Sequence, residues 1–160
     1  PRTAGTPAQL RRAGGGVRDP QLAGRHVVVV DDDAAVVAAM VALFDAWGAT
    51  VIAASDARGA IAAPDVRAAD LIVADLRLAD GASGVEAVQM LRQALGRATP
   101  AVIVSGDLSE DARREVRGAG LSLLAKPLVA DALALAVQRA LAGPGTASSR
   151  GYVQAGAPAA

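Results

Sequence analysis

Val27-Val28-Val29-Val30-Asp31-Asp32-Asp33 is the stretch on which the fold turns. Four β-branched residues in a row make a continuous apolar run, the pattern of a parallel strand covered on both faces. Three carboxylates follow without a spacer. One of them, Asp33, suits the cap of a following helix, where a side-chain oxygen takes backbone N–H groups. Three directly after a buried strand exceed what a cap needs.

Working outward, short apolar runs alternate with helical patterns. Val36, Val37, Met40, Val41, Phe44 and Trp47 recur at helical spacing, and Gly48 ends that run. Thr50 to Ala53 reads as a second strand, and Ser55 is expected to cap a short helix ending before Pro64. Leu71 to Ala74 is a third strand; Val85, Val88, Leu91 and Leu95 then mark a helix closing at Gly96. Ala101 to Val104 is a fourth strand, followed by a polar helix from a Ser109 cap to about Arg117. Leu121 to Ala125 is a fifth, and Leu133, Val137 and Leu141 lie four apart on a last helix. Five repetitions of strand then helix imply an α/β fold, a parallel sheet with helices on both faces and right-handed crossovers. Ligands in such sheets bind beyond the carboxyl ends of the strands.

The flanks differ. Residues 1–24 lack apolar periodicity and carry Gly14-Gly15-Gly16, which reads as a flexible linker; residues 143–160 read as a disordered tail of Gly, Pro, Ser and Ala. The folded domain is expected over 25–142. At 160 residues the chain has room for one such domain. One Phe, one Trp and one Tyr leave the core to aliphatic residues. A formal net charge of zero gives no sign of a nucleic-acid or anionic-membrane partner. Without cysteine there is no disulfide, thiolate metal site or thiol nucleophile. The longest apolar run, Ala34 to Phe44, is far short of the roughly 20 residues that span a bilayer. The start at Pro1 has no signal-peptide layout, and the chain is expected to be a cytoplasmic piece of something longer.

The strand ends carry the chemistry: Asp31-Asp32-Asp33 after the first strand, Asp75 after the third, Ser105-Gly106 after the fourth, Lys126-Pro127 after the fifth. Asp75 alone is a common turn residue, and Ser105 alone starts many turns. Together, carboxylates gathered in one pocket repel unless one is protonated or a cation neutralises them, and hard oxygen ligands beside a phosphate site favour Mg²⁺. A serine hydroxyl donates to a phosphoryl oxygen, and Gly106 leaves the backbone room to approach. Lys126 is the one lysine among 16 basic residues. A compact ammonium and a guanidinium fork are not interchangeable at a phosphate, so the exception points to a role.

These motifs, Val27 to Asp33, Leu71 to Asp75, Val102 to Gly106 and Leu124 to Pro127, resemble those of response-regulator receiver domains, the CheY-like family, over about residues 26–141. The resemblance implies a flavodoxin-like, doubly wound (βα)5 three-layer sandwich with a five-stranded parallel sheet in the order 2-1-3-4-5. It implies that Asp75 accepts a phosphoryl group from a phosphohistidine, that Asp32, Asp75 and the main-chain carbonyl of Arg77 ligate Mg²⁺, and that Asp31 reaches the metal through water. Lys126 pairs with Asp75 before transfer and with a phosphoryl oxygen after it, while Ser105 bonds another phosphoryl oxygen. A cis peptide before Pro127 is also implied, as are a histidine kinase or histidine phosphotransfer domain as partner, and no contact of this chain with nucleic acid or membrane.

Two positions depart from the family pattern. Leu123 stands where an inward-swinging aromatic is usual, and Ala79 replaces a common proline; the resemblance then implies a weaker or differently built output switch and leaves phosphoryl transfer untouched. The layout and the stretches 105–107 and 123–128 resemble the C-terminal receiver of a hybrid sensor histidine kinase, with a stand-alone response regulator as the alternative. The chain itself is expected to lack a kinase core and to act as phosphoacceptor: its single histidine, His26, opens a strand. A haloacid-dehalogenase-like phosphatase shares the Asp-x-Asp, Ser and Lys, but that family needs a paired acidic motif after the lysine, and only Asp131 follows Lys126. A receiver-like module that acts by binding alone is the remaining reading.

Overall fold

The computed structural model describes residues 21–155 except Asp80, with side chains described to Gly143. Expectations placed on residues 1–20 and 156–160 lie outside the described residues. In chain order the elements are β1 (His26–Val30), α1 (Ala34–Ala46), β2 (Thr50–Ala54), α2 (Ala57–Ile61), a 3-10 turn (Val66–Ala68), β3 (Ala69–Asp75), α3 (Gly84–Leu95), β4 (Ala101–Ser105), α4 (Glu110–Gly118), β5 (Ser122–Ala125) and α5 (Ala130–Ala155). The strands form one parallel sheet in the order β2-β1-β3-β4-β5.

Two apolar layers sandwich the sheet, and the alternation of side chains along each strand divides the residues between them. Val27 and Val29 of β1, with Leu71 and Val73 of β3, face α1 and α5; Val28, Val30, Ile72 and Ala74 face the layer shared with α2, α3 and α4. All eight are buried, as the unbroken apolar runs predict for central parallel strands. On the first face, fully buried Phe44 meets Trp47 edge to face, with ring centroids 5.7 Å apart at 73°. Burying a ring of that kind contributes about 1.5–3 kcal/mol, so two aromatics brace a core otherwise made of aliphatic residues.

Helix ends follow their local chemistry. Asp33 caps α1, its carboxylate accepting from the N–H groups of Ala35 and Val36 at 2.9 and 3.3 Å. Ser109 caps α4 through Ala112, and Gly96 closes α3 in the left-handed conformation. Three details differ from the sequence reading. The cap of α2 is Asp56, not Ser55: Asp56 is extended, and its carboxylate accepts from the Gly59 N–H at 2.7 Å. Packing begins ahead of residue 25, because Leu22 is fully buried against the α1 face and Gly24 N–H donates to the Gly48 carbonyl. At the other end, Gly143 breaks α5 with φ 78° and ψ 159°, where the sequence reading starts its tail, and the backbone is helical again as far as Ala155. No helix among the described residues is long and apolar enough to cross a membrane.

Candidate functional site

The carboxyl ends of β1, β3, β4 and β5 lie side by side because the strands are parallel and adjacent. Asp75 ends β3 paired with Val104, Ser105 ends β4 paired with Ala125, and the Lys126 N–H donates to the Ser105 carbonyl at 2.9 Å. Asp31 follows β1, its N–H held by the carbonyl of Ala54 at 3.1 Å. Residues from positions 31 to 126 thus lie along one edge of the sheet.

Within it, Asp31 is 2% exposed and Asp75 8%, while Asp32 is exposed. Each of these three carboxylates offers an oxygen, and the three oxygens lie within 4.8 Å of one another. The Lys126 ammonium stands 3.4 Å from the Asp31 carboxylate and 3.4 Å from that of Asp75. The other Asp31 oxygen accepts from the Asp33 N–H at 2.9 Å, so Asp31 is oriented from two sides. The peptide bond between Lys126 and Pro127 is cis.

The electrostatics follow from this crowding. Burial, and then the neighbouring charge of Asp31, raise the Asp75 carboxyl above its ordinary value; Lys126 and the Arg77 backbone N–H oppose that and do not outweigh it. Burial pulls the Lys126 ammonium down, but the carboxylates of Asp31 and Asp75 overcome it and leave the group raised, hence charged at neutral pH. Three carboxylates against one ammonium leave an excess of negative charge. That donor set, all oxygen and only partly neutralised, fits a hard divalent cation such as Mg²⁺.

Ser105 is 1% exposed, and its Oγ accepts from the Asp107 N–H at 2.9 Å, which fixes the start of the β4–α4 loop. The Arg77 backbone N–H acts to lower the Asp75 carboxyl, so its main chain borders the site. Its guanidinium points elsewhere, to Asp107 at 3.2 Å and Glu115 at 3.1 Å. Leu123, at the position where the family usually has an aromatic, is half-buried against the α2–α4 layer.

Two features escaped sequence reasoning. Gly84 opens α3 against the backbone of Asp75: a Cβ there would lie 2.2 Å from the Asp75 carbonyl oxygen. Ser83 with Glu86 three residues on is a helix-start pattern, and a glycine at the first helical position was the available signal. The other is the Arg77–Asp107–Glu115 cluster, whose members are 30 and 38 residues apart and share no spacing rule.

Comparison with known proteins agrees with this geometry. Residues 27–138 match the response regulator receiver domain family. The chain is 32% identical over 117 residues to the transcriptional regulatory protein ZraR of Escherichia coli O157:H7, covering 72% of this chain and 26% of that protein's length. The chain therefore spans about a quarter of that relative. Among solved structures, chemotaxis protein CheY4 of Vibrio cholerae superposes with a TM-score of 0.65 at 25% identity, over 74% of this chain and all of that one. The receiver domain of sensor histidine kinase PA1611 from Pseudomonas aeruginosa, solved with a magnesium ion in its active site cleft, shares the fold with a TM-score of 0.63 at 24% identity, over 76% and 100% of the two chains. Strand order, the converging strand ends and a match over most of the folded residues lead to one conclusion: this chain belongs to the receiver domain family of response regulators in two-component signalling.

Proposed function

We propose that this domain accepts a phosphoryl group on Asp75 from a phosphohistidine of a histidine kinase or histidine phosphotransfer domain. The observation that carries the reading is the placement of Asp75 among Asp31, Asp32 and Lys126 at the carboxyl edge of the sheet. A carboxylate oxygen of Asp75 attacks phosphorus, the P–N bond breaks, and the imidazole keeps the electron pair and takes up a proton. The product is an acyl phosphate. Asp31, Asp32 and Asp75, with the Arg77 carbonyl, would hold Mg²⁺, Asp31 through water; bound there, the ion neutralises charge on the transferring group. Lys126 turns from the Asp75 carboxylate to a phosphoryl oxygen, and the Ser105 hydroxyl donates to another. The chemistry is positioning and charge neutralisation, with no further covalent work for the chain.

In this reading the receiver works in the cytoplasm and does not itself contact nucleic acid. The parent is read as a hybrid sensor histidine kinase, on the likeness of residues 105–107 and 123–128, with a stand-alone response regulator as the alternative. The family assignment leaves the phosphatase alternative without support.

Beryllofluoride, which mimics a phosphoryl group on a carboxylate, tests the pocket directly. A bound ¹⁹F resonance at one equivalent that depends on Mg²⁺ is expected; no bound species at saturating Mg²⁺ would contradict the reading. Lys126→Arg is expected to melt within a few degrees of the parent and to lose about tenfold or more in phosphorylation rate, because the planar fork replaces a point donor. A rate equal to the parent's by phosphate-affinity electrophoresis would refute the role given to Lys126.

A further inference from the structure

The family's usual route from phosphate to surface needs an aromatic where this chain has Leu123, yet the structure contains another physical connection between the same places. Arg77, two residues after Asp75, reaches across to Asp107 in the β4–α4 loop at 3.2 Å and to Glu115 on α4 at 3.1 Å. Asp107 in turn holds the site hydroxyl: its backbone N–H donates to the Ser105 Oγ at 2.9 Å, and its carboxylate accepts from the Ser109 N–H at 3.0 Å. Glu115 is also bonded by the hydroxyl of Ser83, the cap of α3, at 2.5 Å. One guanidinium therefore joins the loop that follows Asp75 to the loop that carries Ser105 and to the helix beyond it.

We propose that the Arg77 guanidinium is a positioning residue that ties the Ser105 loop and α4 down while Asp75 is unmodified and is drawn off them when Asp75 carries a phosphoryl group. The inference rests on phosphorylation of Asp75.

The magnitudes make the exchange workable. The Arg77 side chain is half exposed, and so its two ion pairs are weak and screened contacts. An acyl phosphate brings close to two negative charges and three acceptor oxygens to a position two residues away, and a guanidinium matches phosphate with paired N–H groups. Weak pairs yield to the stronger anion. Once Arg77 leaves, Asp107 and Glu115 face each other without a cation between them, which loosens the loop and α4. Both acids sit beside it from separate elements, so release acts on the loop and on the helix together. The device needs no aromatic, which accounts for how Leu123 can stand where it does.

The test is amide hydrogen exchange over residues 106–118, read beside intact mass in the same samples, for the parent chain and for the Asp107→Asn/Glu115→Gln pair of substitutions. In the parent, acetyl phosphate with Mg²⁺ is expected to add one phosphoryl group and to speed exchange in α4 by about three- to tenfold, the range that two exposed ion pairs govern. The doubly substituted chain is expected to show the faster exchange before phosphorylation and less than about twofold further change after it. A parent that takes up phosphate with no change in α4, or a variant that responds as fully as the parent, overturns the inference alone. A parent that takes up no phosphate overturns the reading of Asp75 and the inference with it, and the mass spectrum tells the two failures apart.

Discussion

Asp75→Asn is expected to take no phosphoryl group and yet to melt higher than the parent at pH 7 in EDTA. Both halves follow from the same side chain. The amide keeps the shape of the carboxylate but is a far poorer nucleophile, so stoichiometric labelling falls to background. The gain in stability follows from charge. Asp75 lies 8% exposed within reach of Asp31, with one ammonium shared between them. Burial first and Asp31 second raise its carboxyl above the unfolded value of 3.8. A raised acid binds its proton more tightly in the folded state, so its contribution is fully present below the unfolded value and is lost as pH climbs through the folded one. At pH 7 the ionised group is therefore a net cost, which the amide removes. Relief of about 1 kcal/mol corresponds to roughly 4 °C for a domain of this size. The difference is expected to shrink as pH falls toward 4, where both carboxyl states approach neutrality, and to shrink also when Mg²⁺ is added, since the cation offsets the same repulsion. Thermal melts at pH 7 and pH 4.5, with EDTA and with Mg²⁺, check all of this; an amide variant less stable than the parent at pH 7 in EDTA would show that the pocket's charge is already balanced.

Gly84→Ala has the largest expected effect on the fold. The added methyl would meet the Asp75 carbonyl oxygen at 2.2 Å, its carbon at 2.8 Å and the Leu76 Cα at 3.1 Å. All three are backbone atoms of the strand end and cannot rotate away. The Gly84 N–H is also tied to the Leu76 carbonyl at 2.8 Å, so the helix start cannot lift without losing that bond. Overpacking against fixed backbone costs about 3 kcal/mol, or roughly 10 °C in the midpoint. The strain falls on the peptide that carries Asp75, so the folded fraction should also phosphorylate more slowly. A melt within 2 °C of the parent, with labelling at the parental rate, would mean that α3 can shift at little cost.

How far the sequence carried these conclusions varied with the kind of interaction. Central strands were legible because a parallel strand buried on both faces must be continuously apolar, and Val27 to Val30 and Leu71 to Ala74 are. The gathering of Asp31, Asp75, Ser105 and Lys126 followed from their places at strand ends, since topology alone brings those ends together. Local competition was harder to read. Ser55 and Asp56 both have cap chemistry, and the extended backbone at Asp56 decides between them. Leu22 is an isolated large apolar residue in the stretch read as a linker, so composition hid its burial. Contacts set by three-dimensional approach left no pattern at all: nothing in the spacing of Arg77, Asp107 and Glu115 announces that they meet, and the crowding at Gly84 depends on the angle at which α3 leaves the sheet.

Asp75 is the residue proposed to receive the phosphoryl group. Intact-protein mass spectrometry after incubation with acetyl phosphate and Mg²⁺, beside the Asp75→Asn variant, tests it most directly. One phosphoryl adduct is expected on the parent chain, lost when Mg²⁺ is chelated, and none on the variant. An adduct of equal stoichiometry on Asp75→Asn would place the acceptor elsewhere and contradict it.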